Sequence, residues 1–434
     1  MKRFCFAFVV LVFALMDVFP QTDITSADSI PVIPTETDTV VGTPVNEDFS
    51  EHLIRHDLNS LYWGKDSMSL VCFYRNFLQL LETREGNLHI MHIGASHVQG
   101  GTMSHCIRKH LMDEFGEPPA SRGFIFPYST APKCNNPYDY RTSKTKEFKL
   151  IRNVYQKYDF PLGGSGIAVW HANTPNTITI RMNTPGYDFS SDTLVLFAKM
   201  IGNIVPVIRV DTTGHLPDLI DTVNDRYTYY LGHLVDTFRL ELSYQEGDTA
   251  VVYGFWLKNS RPGITFSSIG VNGAQVSSYL RCENFQRDIG FLHPDLVIFG
   301  IGVNDAYTTQ FDSTAFQNNY LELVRRIREV NPDCAFIFIS NNDTWKRGKK
   351  GHYTHIPTGP VVSRVMHRLA DLTGGACWDQ FTVMGGERSM AQWQKKGLAQ
   401  ADRVHFTASG YNLIGDLFYA AFIREIRPVT DELR

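Results

Sequence analysis

Residue types suited to activated-serine chemistry occur at three places far apart in the chain. Ser96 lies in Ile93-Gly-Ala-Ser-His-Val-Gln-Gly-Gly101, where an apolar run meets Gly94 and then a helix-like stretch. In an open α/β sheet such a turn faces the cleft beyond the carboxyl ends of the strands. The first N–H groups of a helix also favour developing negative charge, although a serine there can equally serve as a plain helix cap. Asp402 and His405 stand three residues apart in Ala401-Asp-Arg-Val-His-Phe406. A serine hydroxyl becomes a useful nucleophile only when a base takes its proton, and a histidine base needs a carboxylate to fix its tautomer. Taken alone, the pair is also compatible with an ordinary surface loop. Asn304, in Phe299-Gly-Ile-Gly-Val-Asn-Asp305, ends another apolar run. It could aim its amide at an oxyanion, or simply make the turn that Asn-Asp favours.

These residues need a scaffold, and the patterning supplies one. Strand-like runs at 88–93, 295–300 and 334–339 alternate with helix-like stretches near 103–115, 315–329, 361–373 and 408–426. Alternation of this kind predicts a parallel sheet wound by helices on both faces, and the almost wholly apolar 295–300 run fits a strand covered on both sides. The texture differs between about Gly123 and Pro262. Short alternating runs such as 177–182, 193–197 and 237–242 are separated there by Gly, Pro, Asn and Asp, the pattern of an all-β sandwich or barrel. The predicted fold class is therefore α/β, a doubly wound parallel sheet in two segments (61–122 and 263–434), with an all-β domain inserted at 123–262.

Upstream, Lys2 and Arg3 precede an apolar stretch from Phe4 to Met16 that is closed by Pro20. Residues 1–20 read as a secretory signal; the stretch is shorter than the roughly 20 apolar residues of a membrane span. Residues 21–60, rich in Thr, Asp, Ser and Pro at their start, read as a linker. No later run is long enough to span, so no stable membrane segment is expected once the signal is removed. Over 434 residues the formal net charge is −4, which gives no reason to expect a nucleic-acid partner. Six cysteines remain beyond the signal, compatible with disulfides in an exported protein or with buried thiols. No C-x-x-C pair or zinc-like His spacing is present, and His89 and His92 read as packing or surface residues.

Taken together, Gly94-Ala95-Ser96, Gly273 within Ser268-Ile-Gly-Val-Asn-Gly-Ala274, Gly302-Val303-Asn304 and Asp402-Arg403-Val404-His405 resemble the four blocks of the SGNH, or GDSL, hydrolase superfamily. The resemblance implies Ser96 as nucleophile, His405 as general base and Asp402 as its orienter. It further implies an oxyanion hole made by the Ser96 and Gly273 N–H groups and the Asn304 side chain, with Gly270 the competing glycine. No metal or cofactor is implied. Ala95 departs from the usual Asp of the first block, an acid outside the triad, and His97 replaces the usual Leu and is expected to be structural. More narrowly, 91–108, 123–127, 263–273 and 385–405 resemble peptidoglycan O-acetylesterases of Gram-negative bacteria, which carry a β insert in the same place. That implies a periplasmic or surface esterase acting on an acetylated glycan. Its insert would be similar to a carbohydrate-binding module, with Trp170, Tyr187, Tyr229, Tyr230 or Trp256 offering sugar-stacking faces or forming the insert core. A lipase, thioesterase or acetyltransferase of the same superfamily, or a glycan-binding protein without activity, are the alternatives. The sequence leaves oligomeric state open.

Overall fold

The computed structural model describes residues 53–115, 121–131, 134, 137–143, 147–182 and 187–426. The signal-like segment and the linker up to residue 52 lie outside the described residues. Six strands form the central sheet: β1 (Leu61–Trp63), β2 (Asn87–Gly94), β3 (Gly263–Gly270), β4 (Leu296–Gly300), β5 (Ala335–Ile339) and β6 (Ala376–Trp378), in the order β1-β6-β5-β4-β2-β3. Strands β2 to β6 run parallel, and β1 closes one edge antiparallel to β6.

Side-chain alternation sorts the sheet residues onto two faces. Met91, Ile93, Val297, Phe299, Phe336 and Phe338 pack with helices Val276–Leu280, Phe285–Leu292, Ser313–Val330 and Gly359–Thr373. Leu88, Ile90, Leu296, Ile298, Ile337 and Ile339 pack with Met68–Thr83, Thr102–Phe115 and Ala408–Arg424. Burial on both faces explains why β4 and β5 are nearly continuous apolar runs. Helix Ser313–Val330 begins where the sequence caps it: Asp312 accepts from the N–H groups of Thr314 and Ala315 at 3.0 and 2.9 Å. No described helix is long and apolar enough to cross a membrane.

Between the helix Thr102–Phe115 and β3 the chain builds two further sheets. One has the strand order 213–215, 207–210, 237–242, 176–182, 140–142; the other runs 219–221, 226–235, 191–201, 249–258, 167–172, 149–152, with 123–125 also paired to 249–258. The strand Thr249–Lys258 is buried almost throughout rather than on alternate residues. Its sheet is a middle layer, with the five-stranded sheet on one side and helix Phe285–Leu292 on the other, where Phe291 meets Phe197 edge to face at 5.5 Å and Arg287 pairs with Asp225 at 2.8 Å. Ile178, Leu196, Val251 and Phe255 consequently share one hydrophobic cluster with Ile93, Tyr279 and Phe299. A buried ionic staple joins the same parts: Asp139 accepts from Arg108 and Arg122, both at 2.5 Å, while Arg108 also donates to the Phe266 carbonyl at 3.0 Å.

One sequence expectation needs correction, and several that the sequence left open are decided. Leu53 and Ile54, inside the segment read as linker, are buried in the α/β core, and Asn59 donates to the Leu417 carbonyl at 2.9 Å. Apolar residues this close to the first strand have a core to enter, which composition averaged over 21–60 conceals. Tyr229 and Trp256, offered as sugar-stacking faces, are buried, and the Tyr229 hydroxyl donates to the Pro206 carbonyl at 2.9 Å. Trp170 and Tyr187 are partly buried, and of the five aromatics Tyr230 alone is fully exposed. The six cysteines are unpaired. His89 is buried between the Leu292 carbonyl and the Ser267 hydroxyl, each at 2.9 Å, and His92 lies 3.0 Å from the Ser104 hydroxyl.

Candidate active site

Three glycines align across the carboxyl edge of the sheet, Gly94 pairing in register with Gly270 on one side and Gly300 on the other. A methyl group at Gly270 would stand 2.2 Å from the Gln99 nitrogen and 2.6 Å from the Ala95 oxygen, and one at Gly94 would stand 2.2 Å from Val98. The short helix Ser96–Gln99 can therefore lie directly on the sheet edge, closer than any side chain would allow. Ser96 is its first residue and is half-buried.

The Ser96 Oγ lies 2.8 Å from Nε2 of His405. On the other side of the imidazole, Nδ1 lies 2.6 Å from Oδ2 of Asp402. The second carboxylate oxygen of Asp402 accepts from the N–H groups of Val404 and His405 at 2.9 and 3.0 Å, so one carboxylate both orients the ring and shapes its own loop. Arg403 takes a left-handed backbone conformation (φ 56°) to let the loop turn back on itself. Burial works against the Asp402 charge, but the hydrogen bond from His405, its charge and the two backbone N–H groups outweigh that and hold the carboxyl below its usual range. Thr407 then caps the following helix by accepting from the Gly410 N–H at 3.3 Å.

Asn304 stands at the end of β4 in the short helix Val303–Ala306. Its amide donates one hydrogen to the Ala274 carbonyl at 2.9 Å, which fixes the side chain beside the turn holding Gly273. Gly273 is exposed and has φ +82°, a conformation open to glycine. Gly270 and Gly273 thus do different things: the first makes room for the helix that begins at Ser96, the second turns the backbone next to Asn304. Asp305 accepts from the Val276 N–H with both oxygens at 3.2 Å, and burial pushes its carboxyl up to about 7.

Further residues hold the site together, His97 of the first block, expected to be structural, among them. His97 packs against the His405 ring at 5.2 Å and lies 2.9 Å from the Tyr411 hydroxyl; burial, then the neighbouring His405, lowers it to about 3, so it is a neutral wall behind the base. Gln99 accepts from the Asn272 N–H at 2.8 Å and ties the helix that begins at Ser96 to the glycine turn. A hairpin, Thr344–Arg347 paired with Tyr353–Ile356, grips the Asp402–His405 loop. Trp345 donates its N–H to the Arg403 carbonyl at 3.2 Å, the Tyr353 hydroxyl donates to the Ala401 carbonyl, and the Arg403 guanidinium covers both aromatic rings at 5.2 and 3.9 Å. The hairpin base is anchored by buried Asp343, which takes His355 at 2.7 Å and Trp345 Nε1 at 3.0 Å. Alternation of Trp345 and Arg347 against Tyr353 and His355 about Gly348 and Gly351 is the sequence trace of this element.

Residues 243–413, well under half of the chain, match the GDSL-like Lipase/Acylhydrolase family model, a stretch that contains Gly273, Asn304, Asp402 and His405. A search of curated proteins gives no match. Among solved structures the chain is similar to a peptidoglycan O-acetylesterase, with a TM-score of 0.70 and 22% identity over 85% of this chain and 99% of that one. An acetyl xylan esterase, AlAXEase (TM-score 0.29, 19% identity, 36% of this chain and 81% of that one), and a family two carbohydrate esterase from Cellvibrio japonicus (0.26, 10%, 68% and 100%) are far weaker likenesses. The fold is that of the SGNH hydrolases, and the likeness at 0.70 takes in the β layers as well as the central sheet.

Proposed function

We propose that the chain is an exported serine O-acetylesterase whose substrate is an acetylated, anionic cell-wall glycan, peptidoglycan foremost. One observation carries the reading: hydroxyl, imidazole and carboxylate meet at 2.8 and 2.6 Å, the hydroxyl coming from a residue 309 positions before the imidazole. Ser96 Oγ attacks the acetyl carbonyl carbon while its proton passes to His405 Nε2, and Asp402 stabilises the imidazolium that forms. The carbonyl oxygen, now negative, is received by the N–H groups of Ser96 and Gly273 and by the second amide hydrogen of Asn304. The tetrahedral intermediate collapses as His405 returns the proton to the leaving sugar oxygen. Water, deprotonated by the same ring, then releases acetate and restores Ser96. No step requires a metal or cofactor.

The hairpin favours an anionic glycan over a neutral one. Lys346, Arg347 and Lys349 are exposed at its tip, without an ion-pair partner among the described residues, and the hairpin is fastened to the loop that carries the base. Carboxylates of a peptidoglycan strand would meet these cations; acetylated xylan offers no such charge density. In this reading the β layers act as a carbohydrate-binding module, with exposed Tyr230 and partly exposed Trp170 as contact surfaces, and the site of action is the periplasm or cell surface. Acetate release from acetylated peptidoglycan and from acetylated xylan, by the wild type and by Ser96→Ala, tests this. Faster, Ser96-dependent release from peptidoglycan supports it; equal or faster release from xylan overturns the substrate, and release that survives Ser96→Ala overturns the mechanism.

A further inference from the structure

On one face of the central sheet, the helices Thr102–Phe115 and Ala408–Arg424 lie against each other. They cross tightly at Gly415, where an added methyl would stand 2.8 Å from Cβ and 2.9 Å from Sγ of Cys106. Cys106 and His110 are four residues apart and therefore share one helix face. From the facing helix, Asp416 Oδ1 reaches both: it is 3.1 Å from Cys106 Sγ and 2.7 Å from His110 Nε2. The sulfur, nitrogen and oxygen all lie within 4.8 Å of one another. The His110 ring is laid flat on Tyr419 (4.7 Å, 12°), which fixes the direction of its Nε2.

We infer that Cys106, His110 and Asp416 form a binding site for one borderline-soft divalent cation of the zinc type. A thiolate, an imidazole and a carboxylate are the donor types such an ion takes, and two donors at i and i+4 on a helix with a third from a neighbour is a workable arrangement. Thiolate and carboxylate together carry two negative charges, which a divalent ion neutralises. In the metal-free cluster the Cys106 thiol donates to the Asp416 carboxylate, and burial, then the Asp416 charge, push the thiol upward; the ion displaces the thiol proton to solvent. Donors in a tetrahedral zinc shell, with metal–sulfur near 2.3 Å and metal–nitrogen or metal–oxygen near 2.0 Å, stand about 3.3–3.6 Å apart. The two spacings to the Asp416 oxygen, 3.1 and 2.7 Å, need to open by less than about 1 Å to reach that shell, while sulfur and nitrogen, within 4.8 Å of each other, draw together towards the ion; Asp416, 54% exposed, is free to move outward. Water completes the shell on the exposed side. The third donor is 306 positions from His110, which is why no Cys or His spacing in the sequence announces the site.

The site joins the helix that follows the nucleophile turn to the helix that follows the base, so the cation is a clamp between the carriers of Ser96 and His405 and takes no part in ester cleavage. Cadmium, whose thiolate complexes absorb in the ultraviolet, is the probe. Titrating the metal-stripped full chain, in a Cys72→Ser/Cys134→Ser background that removes the partly exposed thiols, should give a charge-transfer band saturating at one equivalent, competed away by zinc, with a raised thermal unfolding midpoint. Asp416→Asn, an exposed substitution compatible with folding, should weaken binding roughly tenfold or more, and Cys106→Ser should abolish the band. Turnover of a soluble acetate ester should not depend on the metal. Absence of the band in the background variant, or a band that persists in Cys106→Ser, overturns the assignment whatever the esterase data show.

Discussion

The most discriminating perturbation at the site is Asp402→Asn. Asparagine is the same size, and its carbonyl oxygen can keep accepting the N–H groups of Val404 and His405 that the wild-type carboxylate takes at 2.9 and 3.0 Å, so the loop is retained. The amide nitrogen then occupies the place of Oδ2, 2.6 Å from His405 Nδ1, and puts a donor where an acceptor stood. The imidazole answers by moving its proton to Nε2, which now faces Ser96 as a donor and cannot accept the hydroxyl proton. A wrong tautomer of this kind lowers kcat about 10⁴-fold, and at about 1.36 kcal/mol per decade that is about 5.4 kcal/mol of transition-state stabilisation. Hydrolysis of p-nitrophenyl acetate at saturating substrate measures it, beside thermal unfolding of the same variant. Asp402→Ala is the control, since it leaves the two loop N–H groups without their acceptor and should lower the unfolding midpoint as well. A folded Asp402→Asn enzyme retaining a kcat within about tenfold of the wild type, a loss of no more than about 1.4 kcal/mol, would refute the orienting role.

Three other outcomes are expected. Asn304→Ala should cost about 2.7–4 kcal/mol in kcat for the same ester if its free amide hydrogen receives the oxyanion, and an unchanged kcat would exclude it. Combined Lys346→Glu, Arg347→Glu and Lys349→Glu should raise KM for acetylated peptidoglycan roughly tenfold, from a few tenths to one kcal/mol per exposed charge, and weaken its salt dependence. The soluble ester should be hydrolysed as before, and equal KM values on peptidoglycan would remove the hairpin from recognition. Asp305 is raised to about 7 in the folded chain, so the folded state holds a proton the unfolded state has lost. Its contribution to stability is therefore full below the ordinary carboxyl range and is lost as pH rises through about 7. Urea midpoints across that range should fall in the wild type and flatten in Asp305→Asn; parallel curves would contradict the shift.

What could be read in the sequence was what depends on short-range pattern. Apolar runs bounded by glycine at β2 and β4, and by Asn-Pro-Asp and Ser-Asn-Asn at β5, locate these strands, because strands covered on both faces have to be apolar throughout. Ser96 follows β2, and His405 lies in the loop before helix Ala408–Arg424; the fold brings the two together 2.8 Å apart. Less was legible where partners are distant. The edge strand Leu61–Trp63 is too short for a periodic signal and is held by pairing with Trp378 and its neighbours. Burial of Trp256 and Tyr229 follows from a middle layer covered on both sides, which alternation counted within the insert cannot disclose. The hairpin at 344–356 has a charged loop, and its aromatic residues pack on the loop of Asp402 and His405 rather than in a core, so no periodic apolar run marks it.

The hydrophobic cluster that runs without interruption from Ile93 and Phe299 into Phe255 and Ile178 bears on how such an enzyme can change over generations. The sheet-forming insert cannot be deleted, exchanged for an unrelated module or expressed by itself without exposing the half of the interior it covers. New glycan preferences must accordingly arise by substitution on surfaces already present, such as the hairpin tip, and lineages sharing this architecture should gain and lose both layers as one hereditary unit.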